Sequence, residues 1–271
     1  MPLVVCPTPI GNLEDVTLRA LRELAGADLV VCEDTRRTRI LLDRHGVRAR
    51  LLSVHRHNEA RRTAELLPRL EAGERIALAS DAGLPGVNDP GARLVQAALE
   101  RGVEVTVLPG PSAVETALVA SGLVGERYVF LGYFPRTPAG RARLWRELAG
   151  WAWPAVAFES PRRLPATLAS LAEDRPERPV AVCRELTKRF EEVVRGRADK
   201  VADRFRVAPK GEVTVVVGGA PVGSDAVDDR ADEALAAVAE LTAAGTPRRL
   251  AAEVVARLTG LPRNRLYRGS L

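Results

Sequence analysis

The sequence predicts an α/β protein of two domains followed by a small helical appendage. Three observations carry that expectation. Short apolar runs alternate with stretches of helical spacing through the first half of the chain. The loops after several of these runs are dense in Pro, Gly and small polar residues. The length, 271 residues, exceeds the usual size of one compact domain. Repeated strand–helix units imply a mostly parallel sheet covered on both faces. In such open sheets ligands bind outside the carboxyl ends of the strands.

Taken in order, Leu3–Cys6 reads as a strand, Pro7–Asp15 as a loop and Thr17–Leu24 as a helix. Leu29–Cys32 and Leu51–Ser53 are further strands, each followed by a helical stretch, Arg36–His45 and Arg61–Leu70. Ile76–Ala79 is a strand buried on both faces, and its loop runs through SDAGLPGVNDPG into the helix Ala92–Arg101. Glu104–Leu108 is a fifth strand ending in PGPSA, and Ala113–Ala120 a helix stopped by Gly122. A second unit follows, with strands at Tyr128–Leu131, Ala155–Phe158, Val180–Cys183, Glu192–Arg195 and Glu212–Val217 and helices at Ala142–Leu148 and Arg163–Ala172. Its sheet is expected to be partly antiparallel. Gly218–Asp229 reads as a linker, and Asp232–Ala244, Pro247–Leu258 and Pro262–Tyr267 as three short helices. The expected units are therefore 1–121, 122–220 and 221–271.

Composition narrows the class. Hydrophobic residues make up 46% and charged residues 28%, the balance of a soluble globular chain. The apolar runs are strand-sized, so no signal peptide or membrane span is expected, and a cytoplasmic location follows. Cys6, Cys32 and Cys183 lie far apart in apolar contexts, which reads as buried free thiols in a reducing compartment. The net charge of +5 comes almost wholly from arginine, since Lys188, Lys200 and Lys210 are the only lysines. Arginine suits phosphate contacts, although gene base composition produces the same bias. The charge concentrates in the tail, where Arg248, Arg249, Arg257, Arg263, Arg265 and Arg268 face a single carboxylate, Glu253. Leu250, Val254, Val255 and Leu258 keep helical spacing and would turn inward. Helix, Gly-containing turn, helix is also the outline of a helix-turn-helix module. A nucleic-acid contact and a solvated appendage both fit.

The loop Ser80–Gly91 is the feature the first half is organised around. Its small residues let a ligand reach the backbone, and Asp81 and Asp89 can take hydroxyls, amines or a positive centre. Asp89 ahead of Pro90 reads equally as a helix cap with proline at the first helical position. There is no phosphate-binding P-loop, no G-x-G-x-x-G after the first strand and no G-x-S-x-G elbow. His55 and His57 in SVHRHNE have no Cys or third His nearby, so no metal is expected. A crevice of backbone and small residues without an anion fingerprint suits a sulfonium cofactor, which needs carbonyls and a carboxylate.

PTPIGNLEDVTLRAL at Pro7–Leu21, CEDTRRT at Cys32–Thr38, HRHNE at His55–Glu59, SDAGLPGVNDPG and PGPSA occur in that order. GYFPR at Gly132–Arg136, ESPRRL at Glu159–Leu164, RELTKRFEE at Arg184–Glu192 and PKGE at Pro209–Glu212 follow. This ordered set resembles the tetrapyrrole-methylase superfamily, and within it the branch of 16S ribosomal RNA (cytidine-2′-O)-methyltransferases. The resemblance runs from about Leu3 to Val217 and less distinctly through GLPRNRLYR. It implies two α/β domains with S-adenosylmethionine in the cleft between them, a homodimer, and small-subunit RNA, within the 30S subunit, as partner. It implies cofactor contacts from Pro9, Gly11 and Asn12, from Ser80, Asp81, Ala82, Gly83, Pro85, Val87 and Asp89, and from Ser112 and Ala113. The sequence departs from the family pattern at Leu84, usually Thr, at Gly86-Val87-Asn88, usually a bulkier apolar run, and at Arg162, usually His.

Methyl transfer to a ribose hydroxyl needs no metal; it needs the hydroxyl held in line with the methyl, and a carboxylate as base or orienter. Glu159 and Glu185, each just past a second-domain strand, are the candidates, with helix capping or pairing to Arg162, Arg163 or Lys188 as the alternative. A splayed-out cytosine needs a stacking surface. Tyr133 and Phe134 beside Arg136 are the candidates; Arg162, Arg163 and tail residues Arg248, Arg249, Arg263 and Arg265 would hold phosphates. Dimer packing is an equal claim on Trp145, Trp151 and Trp153. Two rival readings stand beside this one: a methylase of the same fold acting on a tetrapyrrole or a modified protein residue, and a non-catalytic RNA-binding assembly protein.

Overall fold

The computed structural model describes residues 2–220 and 225–269, with backbone alone for 225–232. The first sheet holds β1 (Leu3–Cys6), β2 (Leu29–Cys32), β3 (Leu51–Ser53), β4 (Ile76–Ala79) and β5 (Val105–Val107). They are all parallel, in the order β3-β2-β4-β1-β5. Side chains alternate across a strand, so β1 sends Leu3 and Val5 to one face and Val4 and Cys6 to the other. The first pair packs with Leu66 and Leu70 of α3 (Glu59–Glu71) and Leu94 of α4 (Ala92–Glu100). The second packs with Leu24 of α1 (Leu18–Gly26) and Leu41 and Leu42 of α2 (Thr35–Arg44). Thr17 and Asp34 start α1 and α2 by accepting from Ala20 N and Arg36 N, 3.0 and 2.9 Å. Burial on both faces explains why all five strands are legible as short apolar runs.

The next helix, α5 (Ala113–Ser121), was expected with the first unit by sequence order. It packs instead on the second sheet, where Ala117 and Leu118 meet Val156, Ala181, Cys183 and Val216. The Pro109-Gly110-Pro111 turn redirects the chain, and Gly110 is needed there because a Cβ would lie 2.6 Å from the Pro7 Cβ. Ile10 joins the same cluster, so the two sheets share one apolar seam.

The second sheet contains β6 (Val129–Tyr133), β7 (Ala155–Glu159), β8 (Pro179–Arg184), β9 (Glu192–Arg197) and β10 (Val213–Val217), in the order β6-β7-β10-β8-β9. Only β6–β7 is parallel, so the sheet is partly antiparallel as expected. Its far face is covered by α6 (Pro138–Leu148), α7 (Leu164–Asp174) and α8 (Ala198–Arg204). Trp145 is buried among them, its indole N–H donating to Ser170 Oγ at 3.0 Å, which makes it core and not dimer surface. A buried arginine closes this domain: Arg178 donates to the carbonyls of Gly218 (2.7 Å), Leu148 (3.1 Å) and Trp151 (3.3 Å). Burial pushes its pKa down to about 10, still charged at neutral pH.

The tail holds α9 (Asp225–Ala243), α10 (Arg248–Thr259) and α11 (Arg263–Gly269). The helix expected from Asp232 begins at Asp225, so the linker is shorter than its composition suggests; 221–224 lie outside the described residues. The three helices enclose a small core of Ala234, Val238, Ala251, Ala252, Val255 and Leu266. Of the expected inward face Val255 is buried, whereas Leu250 and Leu258 are exposed and Ala251 and Ala252 make the core contact in their place. Among the described residues no helix is long and apolar enough to cross a membrane.

Candidate active site in the interdomain cleft

A cleft of about 890 Å³ lies where the carboxyl ends of the first sheet face the second sheet. Its floor comes from the loops after β2 and β4, one wall from Leu108–Glu115, and the other wall from Tyr128, Phe130, Phe158 and Gly211–Thr214. That volume is in the range of small-molecule sites.

The loop after β4 is tied rigidly to the loop after β1. Thr8 and Gly83 exchange both backbone hydrogen bonds at 2.9 Å, Thr8 Oγ1 donates to Ser80 O (2.9 Å), and Ser80 Oγ donates to Gly83 O (2.8 Å). Gly83 has φ +78°, and the nearest atoms to a Cβ there are 3.8 and 3.9 Å away, so glycine serves the turn itself. Asp81 accepts from Asp34 N at 2.9 Å and pairs with Arg37 at 3.3 Å, joining the loops after β2 and β4.

Of the expected cofactor residues, the structure gathers Asp81, Ala82, Gly83, Val87, Asp89, Ser112 and Ala113 around the cleft. Pro9, Gly11 and Ser80 line an adjoining pocket of about 190 Å³. Gly11 is held against the second domain, since a Cβ there would lie 2.6 Å from Lys188 Cγ and 2.7 Å from Thr187 Oγ1. Asn12 lines only a shallow outer groove; its backbone N–H donates to Thr187 Oγ1 (3.0 Å), and its side chain accepts from Glu14 N (3.2 Å). Pro85 is buried behind the wall and borders neither space.

The two expected bases are committed elsewhere. Glu159 lines the cleft but is 3% exposed, and it accepts from Ser160 N (2.6 Å), Thr167 Oγ1 (2.6 Å) and Arg163 (2.5 Å). Those contacts fix the start of α7. Glu185 has φ +52°, accepts from Glu212 N (2.8 Å) and pairs with Lys188 (3.1 Å). The Glu212 N–H and the Lys188 ammonium hold it below the ordinary carboxylate range. Each has the structural role named as its alternative.

The cleft is acidic within a basic protein. Among the described residues Glu33, Asp81, Asp89, Glu115, Glu159 and Glu212 border it, against one cation, Arg37, which is paired with Asp81. Glu115 accepts from Tyr128 OH (2.6 Å) and from Ser112 Oγ. Burial raises its pKa, but these two donors outweigh burial and hold it below the ordinary range. Burial lifts Asp89 to about 7, with Glu33 and Asp81 adding to the shift. Glu33 is also raised, by burial first and by Asp81 second. Asp89 does not cap α4: the N-cap is Gly91, at φ +121°, and Glu59 of the HRHNE segment accepts from Gly91 N (2.8 Å) and Arg93 N (3.3 Å).

The aromatic expectations divide. Tyr133 is 60% exposed at the cleft, whereas Phe134 is 2% exposed and packs on Trp145 at 5.5 Å, so it has no face for a base. The exposed aromatic that sequence reasoning missed is Phe190, 68% exposed with the Arg189 guanidinium 5.5 Å over its ring. The RELTKRFEE motif held that signal. Arg136, Arg162, Arg249, Arg263 and Arg265 are exposed and Arg248 is half-buried, whereas Arg163 is engaged with Glu159 and Phe134 O. Burial raises the Cys6 and Cys183 thiols to about 12 and about 11, and all three cysteines are buried and free. Among the described residues no group of three or more His, Cys, Asp or Glu side chains is arranged to hold a metal.

Residues 2–202 match the family model of tetrapyrrole (corrin/porphyrin) methylases. The chain is 45% identical to a protein of Mesorhizobium japonicum named ribosomal RNA small subunit methyltransferase I, over 98% of this chain and 90% of that one. A Thermotoga maritima protein of the same name is 42% identical over 80% of this chain and 98% of its own length. Among solved structures, a uroporphyrin-III C-methyltransferase of Thermus thermophilus complexed with S-adenyl homocysteine superposes with a TM-score of 0.58. The identity there is 18%, over 84% of this chain and all of that one, so the likeness is one of fold. Sequence and fold agree: this chain belongs to the tetrapyrrole methylase family.

Proposed function

We propose that this protein transfers the methyl group of S-adenosylmethionine to a ribose 2′-hydroxyl of a cytidine in small-subunit, 16S ribosomal RNA. The observation that carries the reading is an acidic cleft in an arginine-rich protein. Three of the cleft's six carboxylates, Asp81, Glu159 and Glu212, are matched by Arg37, Arg163 and Lys188. The other three, Glu33, Asp89 and Glu115, have no cation partner among the described residues, so the cleft disfavours a phosphate and favours a positively charged ligand. A polyanion is then held outside, by arginines on the surface and the tail, and presents only its reacting sugar to the cleft. The two relatives' shared name, ribosomal RNA small subunit methyltransferase I, supports the same substrate class.

The residues present fit the cofactor. Apolar walls at Ile10, Val114 and Phe130 suit an adenine ring, and the Ala82–Gly83 and Pro111–Ala113 backbones border the same space. Glu115, kept ionised by Tyr128 and Ser112, is available to a hydroxyl or an amine. When bound, S-adenosylmethionine supplies an electrophilic methyl carbon on a sulfonium. The chain's part is to hold the acceptor in line, to exclude water with Phe130, Phe158 and Tyr133, and to take up a proton. Tyr133 and Phe190 are the stacking surfaces of this reading, and Arg136, Arg162 and the tail arginines its phosphate contacts. The 30S subunit as the form of the substrate, a homodimer as the active form and a cytoplasmic location belong to the reading through the family resemblance.

The test is transfer from methyl-labelled S-adenosylmethionine to 30S subunits, 50S subunits, free 16S RNA and a uroporphyrinogen. Label in small-subunit RNA alone supports the proposal. Label in the tetrapyrrole, or none in any substrate, contradicts it.

A further inference from the structure

The floor of the cleft contains two carboxyls to which the reading above gives no role. Of the six carboxylates bordering the cleft, Asp81, Glu115, Glu159 and Glu212 each hold a hydrogen bond or an ion pair. Glu33 and Asp89 hold neither among the described residues. An unpaired, half-buried acid is a destabilising element, and such elements persist where function requires them.

The backbone holds each of these two acids firmly. Glu33 follows β2 and Asp81 follows β4, and these strands are neighbours with Val31 opposite Leu78, so both loops leave the sheet side by side. Ser53 Oγ donates to Glu33 O at 2.9 Å, fixing that turn from β3. Asp89 sits in a turn shaped by Asn88 at φ +64° and Gly91 at φ +121°, and Glu59 pins the turn through Gly91 N and Arg93 N. The motifs CEDTR, HRHNE and VNDPG, distant in sequence, thus build one surface.

We propose that Asp89, faced by Glu33, accepts the proton of the acceptor hydroxyl as its oxygen is methylated. The inference rests on the ribose-methylation reading. A lone pair of the hydroxyl oxygen forms the new O–C bond while the S–C bond breaks and leaves its pair on sulfur. The O–H pair stays on oxygen, and the proton passes to Asp89 Oδ and then to water. Glu33 is a positioning residue: its charge raises the basicity of Asp89. The groups facing Asp89 are Glu33 and Asp81; those facing Glu33 are Asp81, Arg37, His55 and Asp34. A base that titrates near neutrality is well matched to its task, and burial with two neighbouring carboxylates puts Asp89 there.

The test compares the full-length protein with Asp89→Asn and Glu33→Gln, measuring kcat and KM on small-subunit RNA from pH 5.5 to 9. Wild-type kcat/KM for S-adenosylmethionine should rise along a single limb centred near pH 7, the value of the free protein, and kcat along a limb at lower pH, because the sulfonium favours the carboxylate. Asp89→Asn should lower kcat by about 100-fold or more, lose that limb, and leave the KM for RNA within about threefold. Glu33→Gln should shift the limb to lower pH, because a like charge has been removed. A second readout needs no turnover: the affinity ratio of S-adenosylmethionine to S-adenosylhomocysteine, measured by calorimetry. Ionisation of Asp89 near the sulfonium should raise that ratio by about threefold or more between pH 5.5 and 8.5, in the wild type and not in Asp89→Asn. Asp89→Asn with kcat within threefold of wild type, or with the limb intact, overturns the assignment. So does a flat affinity ratio in the wild type. A wild type that methylates no RNA overturns the ribose-methylation reading instead, and the affinity ratio still decides whether Asp89 faces the reacting group.

Discussion

Replacing Asp89 by asparagine should make the protein more stable, and only at neutral and alkaline pH. Asp89 titrates near 7 in the folded chain against an ordinary value of 3.8. The native state therefore holds a proton between pH 4 and 7 that the unfolded chain has released, so stability falls as pH rises through that window. The loss is complete above about pH 7 and absent below about pH 4. A carboxyl moved that far corresponds to about 4 kcal/mol at full effect. The group lies in an open cleft where water screens it, so about 1–2 kcal/mol is the reasonable part. Asparagine keeps the shape and cannot ionise, and no hydrogen bond or ion pair is lost with the carboxylate. Thermal unfolding followed by circular dichroism at pH 4.5, 6, 7 and 8.5 reads the effect. The variant should gain about 2–6 °C at pH 8.5 and nothing at pH 4.5. An equal shift at every pH, or a variant less stable at pH 8.5, would refute the reasoning that burial and neighbouring carboxylates raise this acid.

Three further outcomes follow from the proposed function. Phe190→Ala should weaken RNA binding by about tenfold, in keeping with about 1–3 kcal/mol for a base stacked on an aromatic ring, with cofactor affinity unchanged; filter binding and calorimetry check the two halves. Deleting 221–271 should lower RNA affinity and flatten its dependence on salt, because arginine–phosphate contacts release counterions, while cofactor affinity stays the same. Gly83→Val should lose cofactor affinity by tenfold or more in a folded protein, since a β-branched residue is strained at φ +78° in the turn that borders the cleft; calorimetry on a variant with native circular dichroism reads it.

Much of the fold was legible because the strands are buried on both faces and so appear as uninterrupted apolar runs: LVVC, LVVC and IALA fall at the expected residues. Helix starts were harder. α6 begins at Pro138, after Thr137 caps Gly140 N at 3.1 Å, several residues before its apolar spacing becomes visible. α8 leaves no helical signature in the sequence, since ADKVADR is short and charged and buries only Ala198 and Val201. In the site, small residues marked the loop after β4 correctly, because closeness of backbones requires them. The carboxylates were harder to rank. Position past a strand suggested Glu159 and Glu185, but which acid keeps its partners depends on Arg163, Thr167 and Lys188 folding back onto them. Asp89 reads as a cap in the sequence because the true acceptor for the N–H groups that start α4, Glu59, lies thirty-two residues before Gly91. Phe134 and Tyr133 are adjacent and alike in type, yet Tyr133 ends β6 exposed at the cleft while Phe134, just past the strand, packs into the core against Trp145.

On the proposed function the methyl group goes to a ribose oxygen of small-subunit RNA. The most direct measurement is mass spectrometry of nucleosides from 30S RNA incubated with the protein and deuteriomethyl-labelled S-adenosylmethionine. The expected result is labelled 2′-O-methylcytidine at one position, protected from alkaline cleavage at that linkage, and none in 50S RNA. Label on a base, on several scattered riboses, or on ribosomal protein would contradict it.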